Sequence, residues 1–258
     1  MNSTRLLLTP LAAAFFLVGT AQAYELIRED TTYSVEDETF AGYFSPAEGD
    51  SRGTVLIIHD WDGLDDYERL RADMLAEHGF DAFALDLFGQ GNRPEALEDK
   101  QAATNRLYED RERMRQLILA GLEEARAQGA SEETVVIGYC FGGAAALEFA
   151  RWGEAEDIQG YASFHGGLDT PEGQQYASDT PPILIAHGGA DSMVSMEDVT
   201  QLANELEEAQ VTYEIGVYSG APHAFSVFGS DAYHERADHR SWDAFMVFLD
   251  DFLAEGVR

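Results

Sequence analysis

The 258-residue chain has one cysteine, Cys140, and one lysine, Lys100. A single thiol excludes any intramolecular disulfide, and no C-x-x-C or H-x-x-E-H pattern points to a metal site. No D-x-D-x-D-G loop of the calcium-binding kind is present. Basic residues are scarce: 16 Lys and Arg stand against 48 Asp and Glu, for a formal net charge of −32. Such a surface argues against nucleic acid or an anionic membrane as a partner. It suits a solvated surface in high salt, where self-repulsion is screened. There is no internal repeat, low-complexity tract or interdomain linker, and the length fits one large domain with a substantial core.

The longest apolar run near the start, Leu6–Val18, is too short for an ordinary membrane-spanning helix and is interrupted by Pro10. With the weakly basic Met1–Arg5 before it and Ala21-Gln22-Ala23 after it, it reads as a secretory signal peptide over 1–23. An uncleaved anchor is the alternative. No cysteine lies near the cleavage site to support lipidation. The expectation is an exported protein, periplasmic or secreted, whose mature domain covers 24–258.

Within that domain, strand-like and helix-like segments alternate. Residues 24–44 read as one or two antiparallel strands, and Thr54–Asp60 as a continuous apolar strand of the kind covered on both faces. A helix over 67–78 carries Leu70, Met74 and Leu75 on one side and stops at Gly79. Strands are expected over 81–87, 134–137, 160–167, 181–189 and 212–218. Helices are expected over 144–150, 196–210 and 236–253, and over 95–128 in two pieces. This order predicts an α/β fold with a predominantly parallel sheet and helices on both faces.

The stretch from Thr134 to Gly143, TVVIGYCFGG, combines a β-branched strand, a glycine-flanked turn and the start of a helix. That is the context of a nucleophile elbow, with Cys140 where serine usually sits. The helix behind it aims N–H groups and a positive dipole end at the thiol, favouring negative charge on sulfur or on a tetrahedral intermediate. A buried structural cysteine in a βα turn is the competing reading. Functional residues in such sheets gather past the carboxyl ends of strands, and Cys140, Asp191 and His223 fall there in the order nucleophile, acid, base. His223 would take the thiol proton, and Asp191 would orient and stabilise the imidazole. Of the other histidines, His78, His234 and His239 read as surface residues, while His59, His165 and His187 lie at strand ends as hydrogen-bonded or pocket-lining groups. Asp191 alone could also serve as a turn former or helix cap.

The segments HDWDGLDDY (59–67), FALDLFGQG (83–91), GYCFGG (138–143), SFHGG (163–167), HGGAD (187–191) and PHAF (222–225) together resemble the dienelactone hydrolase family of α/β-hydrolases. The resemblance implies an α/β-hydrolase fold and hydrolysis of small esters or lactones through a thioester. It implies Cys140, Asp191 and His223 as the triad, with an oxyanion hole from the backbone N–H groups of Phe141 and Trp61. No metal or organic cofactor is then needed, and the expected partner is a small-molecule ester or lactone.

Two positions depart from the family pattern. Asp60 stands where the family usually has a glutamate that interacts with the resting thiol, and it is one methylene shorter. Val227 stands four residues after the expected base, where an arginine usually grips a substrate carboxylate; an apolar side chain cannot make that contact. Arg93, Arg106 and Arg111 are the cations that could replace it. Phe88, Trp61 and Phe225 are candidates for an apolar pocket or for ordinary core aromatics, and 95–128 is a candidate lid. A general carboxylesterase or thioesterase, or a hydrolase-fold binding protein without turnover, are the competing functions.

Overall fold

The computed structural model describes residues 29–253. The signal-peptide expectation over 1–23 lies outside them. Fourteen elements follow in chain order: β1 (Glu29–Val35), β2 (Glu38–Ser45), β3 (Thr54–Ile58), α1 (Asp66–Glu77), β4 (Asp81–Leu85), α2 (Leu97–Glu109), α3 (Arg111–Ala127), β5 (Thr134–Tyr139), α4 (Phe141–Trp152), β6 (Ile158–Phe164), β7 (Ile183–Gly188), α5 (Met196–Ala209), β8 (Tyr213–Tyr218) and α6 (Glu235–Phe252). The strands form one sheet in the order β1-β2-β4-β3-β5-β6-β7-β8. β1 and β2 are an antiparallel hairpin, β2 pairs antiparallel with β4, and every pairing from β4 to β8 is parallel.

Strand periodicity divides the core. Leu56, Ile58 and Val136 face one layer, which Met114, Leu117, Ile118 and Leu122 of α3, Leu147 and Phe149 of α4, and Leu202 and Leu206 of α5 complete. Val55, Ile57, Val135 and Ile137 point the other way, against Leu75 of α1 and Trp242, Phe245 and Leu249 of α6. Alternate residues are buried on both sides, so these strands read as unbroken apolar runs.

The long helical stretch breaks at Asp110. Its carboxylate accepts the Arg113 N–H at 3.0 Å and caps α3, because a side chain that caps a helix start also favours ending the previous one. The buried face of α1 differs from the expected stripe. Leu70 is 47 % exposed, whereas Tyr67, Glu68, Arg71, Ala72, Leu75 and Ala76 face inward. Polar groups occupy that face because a hydrogen-bonded network, described below, receives them.

Strand order reverses direction at β3: β4 lies on one side of it and β5 on the other. The loops after β3 and β5 therefore open from adjacent strand ends, the place where α/β sheets form their crevices.

Candidate active site

The elbow is built from close backbone approach. A Cβ on Gly138 would lie 1.9 Å from the Gly142 carbonyl oxygen, and a Cβ on Gly142 would lie 2.3 Å from that of Ile58 and 2.5 Å from that of His59. Only glycine permits the turn to fold onto its own helix and onto the end of β3 at once. Cys140 occupies the tip at φ 50°, ψ −111°, a conformation a non-glycine residue holds only when its surroundings impose it. α4 begins at the next residue, Phe141, rather than at 144, so the first free N–H groups of the helix stand directly behind the sulfur.

His223 follows β8 and Asp191 follows β7. His223 Nε2 lies 3.0 Å from Cys140 Sγ, and its Nδ1 lies 2.8 Å from Asp191 Oδ2. Asp191 Oδ1 accepts the N–H groups of Met193 at 2.8 Å and Val194 at 3.0 Å. Burial alone would raise the Asp191 pKa, but the bonds from His223 and from these two N–H groups outweigh it and hold the carboxylate below its usual range. As an ionised acceptor it makes Nδ1 the protonated nitrogen, which leaves Nε2 free to accept the thiol proton.

The surroundings of Cys140 favour the thiol over the thiolate. Burial, then the nearby Asp60 carboxyl, push its pKa up to about 12, against a lowering contribution from the Phe141 N–H. For a thiol in this state to act on an electrophile, its proton would have to pass to a base in contact.

Asp60 is buried beside it. Its Oδ1 accepts the Asp62 N–H at 3.0 Å. Burial and the facing Asp62 carboxyl push its pKa up to about 8. The loop carrying Asp60 and Trp61 is anchored by His59, whose Nδ1 donates to the Asp60 carbonyl at 2.6 Å while Nε2 accepts the Leu87 N–H at 3.0 Å. Burial holds this ring neutral, which the one-donor, one-acceptor arrangement requires.

Phe88 is half-buried against His59 and Phe141, at ring-centroid distances of 4.6 and 5.6 Å. Tyr108 of α2 closes on the other edge of Phe141 at 5.4 Å. Phe225 takes no part in the wall: it is fully buried in the second core layer, against His165 and Tyr218. Val227 packs against that same layer. Arg93 donates to the carbonyls of Leu64 and Asn92, Arg111 donates to Glu148 at 3.0 Å, and Arg106 lines a crevice with Phe40 and Leu107. Among the described residues no group of three or more His, Cys, Asp or Glu is placed to hold a metal ion.

Behind His223 runs a network not anticipated from the sequence. The His165 ring stands against the His223 ring at 5.5 Å, and its Nε2 bonds Ser226 Oγ at 2.8 Å. Ser226 Oγ bonds Tyr67 Oη at 2.8 Å, and the buried Arg71 donates to Tyr67 Oη, to the Ser226 carbonyl and to Asp238. The Arg71 guanidinium also lies over the rings of Phe228 at 4.3 Å and Trp242 at 4.7 Å. The only sequence signal for it is an arginine at helical spacing from a tyrosine.

The family model of the dienelactone hydrolase family matches residues 40–253. The chain belongs to the dienelactone hydrolase family. A carboxymethylenebutenolidase of Rhodococcus opacus is 28% identical over 218 residues, covering 80% of this chain and 84% of that protein. A probable 2-oxo-3-(5-oxofuran-2-ylidene)propanoate lactonase of a Bradyrhizobium species is 26% identical over 207 residues, covering 76% and 82%. Among solved structures, a dienelactone hydrolase-like promiscuous phosphotriesterase from metagenomic libraries superposes with a TM-score of 0.79 at 27% identity, covering 88% of this chain and 98% of that one. This member of the dienelactone hydrolase family thus has the α/β-hydrolase fold.

Proposed function

We propose that the protein hydrolyses small carboxylic esters or lactones by nucleophilic catalysis at Cys140. The observation that carries this reading is the unbroken line from Asp191 through His223 to Cys140 Sγ, each contact at hydrogen-bond distance. In this mechanism His223 Nε2 takes the thiol proton as sulfur attacks the carbonyl carbon. The oxyanion is held by the N–H groups of Phe141 and Trp61. Collapse expels the alcohol, protonated by His223, and leaves a thioester. Water, deprotonated by the same imidazole, then releases the acid and restores the thiol. Export to the periplasm or beyond belongs to this reading and rests on the leader sequence alone.

Substrate choice follows from charge. The anionic groups acting on the Cys140 thiol from farther off include Asp62 and Asp191, and Val227 offers no cation. A neutral acyl group is therefore favoured over one carrying a carboxylate. The test is steady-state hydrolysis of a neutral short-chain aryl ester and of a dienelactone by the wild type and Cys140→Ala. Expected is Cys140-dependent turnover of both, with the neutral ester preferred. Turnover that survives in Cys140→Ala, or that is absent from the wild type with both substrates, refutes the reading.

A further inference from the structure

Lys100 is the chain's one lysine, and its side chain is only 18 % exposed. From the first turn of α2 it reaches back to the loop after β3. Its Nζ lies 3.1 Å from Asp62 Oδ2 and 5.3 Å from the centre of the Trp61 ring. Asp62 in turn donates its N–H to Asp60, and the two side-chain carboxyl groups face each other. Nucleophile, buried carboxyl, second carboxyl and cation thus run in sequence from the elbow to α2.

Two carboxyl groups in contact share one proton, because both anions together repel at short range. Their surroundings decide which keeps it. Asp60 is buried, and the groups that face it are acidic: Asp62 and Asp65 from its own loop and Glu68 from α1, with the Cys140 thiol from the elbow. Asp62 is one-third exposed and has the Lys100 ammonium.

We propose that Lys100 is a positioning residue that acts through Asp62 on the carboxyl group beside the nucleophile, fixing Asp62 as the anion and Asp60 as the acid of a pair holding one proton. The inference rests on the reading of Cys140 as the nucleophile. Its consequence is that no negative charge stands beside the sulfur while the thiol proton moves to His223. Loss of the Asp60 proton, near pH 8, puts that charge in place and slows the thiol.

Cys140 is the only thiol, so its alkylation by iodoacetamide reads the nucleophile without any assumption about substrate. Rates are measured on the full chain from about pH 5 to about pH 10, which brackets the raised Asp60 carboxyl from both sides. The wild-type profile should break near pH 8. Lys100→Met should move the break upward by roughly one unit, since a carboxyl pair without its cation holds the proton more tightly. Lys100→Arg should leave it in place. Asp62→Asn should move it downward, because Asp60 loses its acidic neighbour. Opposite displacements are not produced by mere loosening of the loop. A wild-type profile without the break, or one unmoved in Lys100→Met, overturns the proposal, and where Lys100→Met does not fold an unmoved Asp62→Asn profile does the same. Failure of the hydrolase reading registers separately, as absent ester turnover with the alkylation profile intact.

Discussion

Gly142→Ala tests the geometry of the elbow directly. The added Cβ would sit 2.3 Å from the Ile58 carbonyl oxygen and 2.5 Å from that of His59, and both are backbone atoms that no rotamer change can clear. An ordinary contact requires a displacement of about 1 Å. β3 is paired on both sides, Ile58 with Leu85 of β4 and with Gly138 of β5, and cannot yield. The first turn of α4 or the loop carrying Asp60 and Trp61 must therefore shift. Either movement displaces the Phe141 N–H and the Cys140 sulfur relative to the loop after β3, and a misplacement of about 1 Å costs on the order of 10²-fold in rate. Overpacking adds about 1–3 kcal/mol of destabilisation, which lowers the melting temperature by several degrees without unfolding the protein at room temperature. The assay is kcat and KM for a neutral aryl ester beside a thermal melt. Expected is a loss of about 10²-fold in kcat with KM changed little. Gly167→Ala is the control, since its Cβ would meet only Ala144 and Asp169 at an ordinary 3.6 Å. A Gly142→Ala enzyme turning over within about threefold of wild type refutes the argument, because the misplacement it predicts would cost far more.

Asp191→Asn should lower kcat by about 10⁴-fold with KM nearly constant, since an amide no longer enforces the Nδ1-protonated tautomer of His223; a loss under tenfold in steady-state assays would remove Asp191 from the relay. Asp60 bears on stability with a definite sign. Its folded pKa is raised from the ordinary 3.8 to about 8, so between those values the folded state keeps a proton that the unfolded chain releases, and stability falls as pH rises through that window. Asp60→Asn should accordingly gain more in melting temperature over wild type at the upper end of the window than at the lower. Equal offsets at both ends contradict the shift. Glu148 is fully buried among Arg111, Arg115 and Arg151. Burial opposes its ionisation, but Arg115, Arg151 and Gln174 hold its pKa low, so its contribution is present above the ordinary carboxylate range and is lost as pH falls below it. Glu148→Gln should cost about 2–4 kcal/mol by chemical denaturation near neutral pH, with the difference from wild type closing in acid.

The fold was legible because its strands are covered on both faces and its helices on one, so the hydrophobic period changes at each boundary. The Cys140, Asp191 and His223 contacts were legible for a related reason: each residue follows a strand, and parallel strand ends converge. Contacts between side chains of different elements left no such trace. Nothing in the spacing of Lys100 and Asp62, or of Arg71 and Asp238, marks them as partners. The assignment of Leu70 to the buried face of α1 failed because a stripe of apolar residues is only one way to fill an interface; there, a satisfied polar network occupies the same space. Phe225 failed for a simpler reason. It follows His223 closely, yet the left-handed backbone at Ala224, φ 58°, turns the chain so that the next ring points into the core.

The two halves of the proposed chemistry are held by one helix. Near its start α1 presents Glu68, whose carboxylate accepts the Asp65 N–H at 3.0 Å and whose buried position faces Asp60. From the same turn Tyr67 reaches Ser226, and one turn on Arg71 binds the Ser226 carbonyl, tying the segment that bears His223 to α1. Cys140 stands between them on a strained turn. Base and carboxyl must therefore be brought to the sulfur, and a helix contacting both sides fixes their separation. Exchanging Arg71 for an apolar residue would leave Asp238 buried without its cation and would release the His223 segment at once. Stability and catalytic geometry at this position are thus carried by the same hydrogen bonds, which is why so polar a group lies at the centre of an otherwise apolar layer.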